Sequence, residues 1–205
     1  MSLRSFSISH LRVVRATRLC RRTPGTLPIG SSSPEPAWLV RHAVCVELIS
    51  RDGARVALRP TGYQFSQGSA SRGDWDANWL LVRGQVRTPT GRSWSFHDPC
   101  LTTWECVELL DWLTAASRGD ILPSEAPAEG EGLLAFTEPN LAFSVAEISA
   151  GDLVIRVHLS LESAPSGPDQ TWDLYECEVP LKVAGTELLG AAEQWRADIS
   201  PYPAR

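Results

Sequence analysis

The stretch Asp152-Leu153-Val154-Ile155-Arg156-Val157-His158-Leu159-Ser160-Leu161-Glu162 decides the fold class. Leu153, Ile155, Val157, Leu159 and Leu161 alternate with Val154, Arg156, His158, Ser160 and Glu162, the two-residue period of a strand that buries one face. A strand with one wetter face belongs to an antiparallel sheet, because strands of parallel sheets are buried on both sides. Working outward, the same signal predicts strands near 133–137, 141–148 and 173–182. On the far side of the chain, 43–50 and 54–60 form a hairpin around Arg51-Asp52-Gly53. Residues 77–87 and 92–97 form a second pair around Pro89-Thr90-Gly91, after a loop over 67–73.

Two helices complete the pattern. Thr102-Thr103-Trp104-Glu105 reads as a capping box, in which a threonine oxygen and a glutamate satisfy free amides at a helix start. Val107, Leu110 and Leu113 carry the apolar spacing, and Arg118-Gly119 supplies a stop, which gives a helix over 103–117. Leu188, Ala192, Trp195 and Ile199 give a second over 185–198. The order is four strands, a helix, four strands, a helix. The expectation is one α+β domain with an antiparallel sheet of about eight strands, as sandwich or half-barrel, and two packed helices.

Residues 1–40 look foreign to this pattern. Residues 1–34 carry six arginines and no acid, and a Pro/Gly/Ser tract runs from Thr23 to Pro36. With no apolar period, this stretch reads as a disordered or misassigned extension ahead of a domain over 41–205, in preference to a targeting signal.

The remainder holds 13 basic and 24 acidic residues, a formal charge of −11 against −5 for the whole 205-residue chain. A basic nucleic-acid surface is therefore not expected on the folded part, and an acidic face that meets a basic protein is. No apolar run approaches the roughly 18 residues that a membrane span needs. Five cysteines without a C-x-x-C pair read as reduced thiols of a cytoplasmic protein.

The chemistry-bearing patterns are weak. Asp74-Trp75-Asp76-Ala77-Asn78 invites calcium, but an EF-hand loop would need glycine and glutamate where Trp79 and Gln85 stand. Asp76 and Asn78 read instead as backbone binders at a strand entrance. His97, Cys100, Cys106 and His158 lack the spacing of a closed zinc site, and His97-Asp98 before Pro99 reads as a turn. No nucleophile elbow, H-E-x-x-H motif or phosphate loop is present, so no cofactor is implied. Glu105, Glu138 and Glu162 remain as acid/base partners for a small enzyme or ligand-binding domain. Glu138-Pro139-Asn140 has the simpler reading of a turn.

Surface readings follow from helix phase and aromatic content. Glu105, Glu108 and Asp111 recur at three-residue spacing and form an outward acidic stripe. Eight tryptophans are mostly core by their phase. Trp75 and Trp172, beside loops and acids, are the candidates for interface anchors in place of core, since tryptophan is enriched at binding hot spots.

Three strings are idiosyncratic: Trp75-Asp76-Ala77-Asn78-Trp79-Leu80-Leu81-Val82, Asp98-Pro99-Cys100-Leu101-Thr102-Thr103-Trp104-Glu105, and Phe136-Thr137-Glu138-Pro139-Asn140-Leu141-Ala142-Phe143. With Leu159-Ser160-Leu161-Glu162-Ser163-Ala164-Pro165 and the ending Tyr202-Pro203-Ala204-Arg205, their order resembles the WapI-type bacterial immunity proteins over residues 44 to 205. The resemblance implies a non-catalytic cytoplasmic protein whose partner is the C-terminal domain of a cognate contact-dependent toxin, in that family an RNA-cleaving one. It brings no catalytic residues.

Overall fold

In the computed structural model, residues 45–66, 75–125, 132–167 and 172–205 are described. The expected extension over 1–40, the start of the first hairpin, the loop over 67–73, Asp74 and part of the 123–132 linker lie outside them.

Eight antiparallel strands fall into two sheets of four, each a meander in which every strand pairs with its neighbour in sequence. The first holds β1 (Val46–Ile49), β2 (Arg55–Tyr63), β3 (Trp79–Arg87) and β4 (Ser93–Thr102), followed by α1 (Thr103–Ser117). The second holds β5 (Leu133–Ala135), β6 (Leu141–Ser149), β7 (Asp152–Leu159) and β8 (Cys177–Ala184), followed by α2 (Gly185–Ile199). Strand alternation sends Val46, Leu48, Val56, Leu58, Val82 and Val86 into the core from the first half. Leu153, Ile155, Val157, Val179, Leu181 and Val183 enter it from the second.

The halves are joined at both ends. Lys182 N donates to Ser50 Oγ (3.0 Å) and Arg51 forks onto Asp152 with two 2.7 Å bonds. On the other side, Trp94 Nε1 donates to Ser163 O (2.9 Å). The helices pack on each other, and buried Trp195 donates from Nε1 to Cys106 O (2.8 Å). Trp112 from α1 meets Phe143 of β6 at 5.7 Å between ring centres.

The boundaries depart from the sequence expectation most clearly at three places. The stretch expected as one strand to residue 162 ends at Leu159, because Ser160–Ser163 turns into a short 3-10 segment. Ser160 N still donates in register to Asn140 O (3.0 Å), but Leu161 then takes a positive φ of 51° and Ser163 N closes on Ser160 O (3.1 Å), so the backbone bonds leave the ladder. The strand expected from 173 begins at Cys177, after a turn closed by Glu176 N to Asp173 O (3.2 Å). His97-Asp98-Pro99 is not a turn. β4 runs through it to Thr102, and the register shifts so that Leu80 faces Leu101 while Leu81 faces Pro99. Cys100 is the extra residue of a bulge, a position where a strand tolerates proline beside it.

One pairing in that ladder positions the surface discussed next. Trp79 opens β3 and lies opposite Thr102, which closes β4. The 3-10 turn Trp75–Asn78 that leads into β3 is thereby set beside the first turn of α1.

Candidate interaction surface

The first turn of α1 forms the capping box. Thr102 Oγ1 accepts from Glu105 N (3.3 Å), and Glu105 Oε2 accepts from Thr102 N (2.7 Å). The second carboxylate oxygen, Oε1, accepts from Thr137 N (2.7 Å), which pins the 136–140 turn to the helix start. Glu105 is therefore buried, at 6% exposure. The outward stripe of Glu105, Glu108 and Asp111 is corrected accordingly. Glu108 and Asp111 are exposed, and Glu105 faces in.

Once Glu105, Leu109, Trp112 and Leu113 set the buried side, positions 104, 107, 108 and 111 share the opposite side. Trp104 is 39% and Val107 48% exposed, so Val107 points away from the core it was expected to join. Trp75, 52% exposed, lies against Trp104 with ring centres 5.0 Å apart and planes tilted by 30°. The result is an apolar surface of Trp75, Trp104 and Val107 flanked by Glu108 and Asp111. Stacked exposed tryptophans leave a large apolar area in water, the arrangement expected of an unfilled binding surface.

Asn78 holds the two aromatic segments together. Fully buried, its Oδ1 accepts from Thr103 Oγ1 (3.1 Å) and from Arg205 N (2.8 Å), and its Nδ2 donates to Arg205 O (3.4 Å). Asn78 was expected to bind local backbone and instead bridges to residues 25 and 127 positions away. Arg205 in turn lays its guanidinium over the Tyr63 ring at 3.2 Å. Asp76, the other expected backbone binder, is exposed and makes no hydrogen bond among the described residues. Thr102 caps α1 through its hydroxyl. Asn140 is buried, donates from Nδ2 to Cys100 Sγ (3.6 Å), and receives Ser160 and Ser163 on its carbonyl.

The remaining sequence candidates scatter. Trp172 is half-buried and packs against the core, so it does not present an anchor. Glu138 and Glu162 are exposed. Together with Asp98 they lie close enough to Cys100 to help raise its thiol to about 12, although burial is the larger cause. Glu105 does not join them, because both its oxygens receive backbone amides. The three-carboxylate cleft of an enzyme is thus not assembled.

The candidate metal ligands are also engaged elsewhere. His97 Nε2 bonds Thr61 Oγ1 (2.8 Å). His158 Nε2 bonds Ser144 Oγ (2.9 Å) and its Nδ1 bonds Tyr175 O (2.9 Å). A carbonyl only accepts, so Nδ1 carries the proton and Nε2 accepts from Ser144. Burial pushes the pKa of this imidazole below its usual range. Among the described residues no three His, Cys, Asp or Glu side chains converge as a metal site.

Sequence reasoning missed Trp104 and Val107. The signal was present in the capping box itself: a glutamate that bends back to the N-cap amide cannot also stand in an outward stripe, and this sets the helix phase.

The model of the immunity protein WapI-like family matches residues 47–203 of the chain. No curated protein matches it.

Proposed function

Because the chain belongs to the immunity protein WapI-like family, we propose that it binds and neutralises the C-terminal domain of a cognate contact-dependent toxin through the outer face of α1. The observation that carries this reading is the exposed Trp75–Trp104 stack with Val107, bordered by Glu108 and Asp111. Tryptophans on a rigid helix and a pinned turn lose little conformational freedom on binding, which favours affinity. The Asn78–Thr103 bond supplies the pinning.

The flanking acids suit a basic cleft, such as that of an RNA-cleaving domain, where they would compete with phosphate and steer encounter. The protein then acts as a stoichiometric blocker in the cytoplasm and performs no chemistry of its own. No described helix is long and apolar enough to cross a membrane.

The test combines growth and binding. Co-expression with the toxin domain encoded beside it should restore growth of sensitive cells. Trp104→Ala should weaken binding about 30-fold, a hot-spot loss of about 2 kcal/mol, without lowering the melting temperature by more than a few degrees. Glu108→Gln with Asp111→Asn should slow association at low salt and flatten its salt dependence. Unchanged affinity in Trp104→Ala would place the contact elsewhere.

A further inference from the structure

The acidic net charge of the folded region conceals a strongly basic face. On the side of the first sheet turned away from the core, the register sets Arg55 opposite Arg87 and Arg59 opposite Arg83, with His97 next to Arg83 on β4. Between the two arginine rows runs the row Glu47–Ala57–Gln85–Ser95, neutral except for Glu47 at the β1 edge. Four residues separate the rows along each strand, about 13 Å at strand rise. The composition-level expectation of no basic surface therefore fails for this face.

Like charges set directly opposite across strands destabilise a sheet, and among the described residues only Glu47 and Asp198 offset them. Arg55 pairs with Glu47, and Asp198 of α2 lies within electrostatic reach of Arg59. Arg83 and Arg87 are exposed and make no ion pair or hydrogen bond among the described residues. Two hollows adjoin across Gln85. One of about 410 Å³ is lined by Arg55, Arg87, Ser93 and Ser95, and one of about 310 Å³ by Arg55, Arg59 and Arg83.

We propose that this face is a sequence-independent binding surface for the phosphodiester backbone of a nucleic acid. Guanidinium forks match phosphate oxygens two at a time, and the Gln85 amide with the Ser93 and Ser95 hydroxyls adds neutral donors. Two repeated cationic rows fit a ligand whose charge repeats along its length better than a single small anion. An acidic protein is disfavoured because the centre of the face, with Ala57 buried and Gln85 and Ser95 exposed and polar, offers no exposed apolar or aromatic anchor of the kind a protein interface places there. No tryptophan, tyrosine or phenylalanine stands in the three rows, and Trp94, which borders the larger hollow, is half-buried and bonded through Nε1 to Ser163 O, so sequence is not read by stacked bases.

The experiment uses the full chain and fluorescence anisotropy with a labelled 20-nucleotide single-stranded RNA, the DNA of the same sequence, and a labelled polyglutamate peptide. Residues 1–34 carry six further arginines, so the decisive readout is the difference between parent and Arg83→Gln/Arg87→Gln. Both oligonucleotides should bind at 50 mM salt. The double variant should lose at least tenfold in affinity, with its slope of log affinity against log salt shallower by about 1.4, since each single-strand phosphate contact contributes about 0.7. Trp104→Ala should bind the oligonucleotides like the parent, which separates this surface from the toxin interface. Equal oligonucleotide affinity in parent and double variant would overturn the proposal, as would binding of polyglutamate without binding of either oligonucleotide.

Discussion

Glu105→Gln separates a structural acid from an interfacial one on the same helix. Both oxygens of Glu105 accept backbone amides at 2.7 Å, from Thr102 and Thr137, in a site only 6% exposed. Hydrogen bonds to a charged group contribute about 1.5–3 kcal/mol each when buried. Glutamine keeps one acceptor but turns its NH2 toward the second amide, so a donor faces a donor. One charge-assisted bond is lost outright and the other weakened to a neutral one, for a cost of about 2–3 kcal/mol. In a domain of this size each kcal/mol lowers the melting temperature by about 2–4 °C, so the drop should be about 4–12 °C. Glu108→Gln, on the exposed side of the same helix, should stay within about 0.5 kcal/mol of the parent. Thermal and urea denaturation at pH 7 measure both. The toxin association rate should show the reverse order, with Glu108→Gln slower and Glu105→Gln unchanged at temperatures where it is folded. A Glu105→Gln protein that melts with the parent would refute the reasoning.

Asn78→Ala should cost about 2–3 kcal/mol, because it removes bonds to Thr103 and to both backbone groups of Arg205 from a fully buried position; urea denaturation checks this. It should also weaken toxin binding through the loosened Trp75 turn, whereas an unaltered tryptophan emission spectrum would show that the turn does not depend on it. His158 is held neutral with its pKa lowered by burial. The unfolded chain takes up the proton first as pH falls below about 6.5, so the stability this imidazole contributes is present above that pH and lost below it. Urea midpoints between pH 7.5 and 5 should fall, and His158→Gln should flatten that part of the profile.

The meanders and both helices were legible because their signals are local: a two-residue period from Leu153 to Val157, and a threonine and glutamate three apart at the start of α1. Strand ends were less so. Leu159 ends β7 because Leu161 turns to a positive φ and Ser163 N takes the carbonyl of Ser160, while Ser163 Oγ holds the turn on the carbonyl of Asn140, about 20 residues upstream, a partner that no pattern around residue 160 announces. The aromatic surface proposed as the interface was half legible. Trp75 stood out as an aromatic beside a loop, but its companion Trp104 is fixed by the pairing of Trp79 with Thr102, a long-range register. The basic sheet face was hidden for a related reason. Arg55, Arg59, Arg83 and Arg87 are evenly spaced along two strands, and only the antiparallel register stacks them into rows.

Every ladder in the two sheets joins strands adjacent in sequence, and this bears on how the protein is made. A chain emerging from the ribosome can complete β1 to β4 and cap α1 as far as Glu105's bond to Thr102 before any of the second meander exists. The amide of Thr137, the indole of Trp195 and the backbone of Arg205 arrive later, and each finds an acceptor already in place on the first half. Local pairing favours fast formation of each half, while the contacts of high sequence separation close last. The Trp75–Trp104 surface draws on the last of these through Asn78, so it gains its final rigidity only once Arg205 has been added and docked. If that surface is the proposed interface, a nascent chain would bind weakly until Arg205 had docked on Asn78.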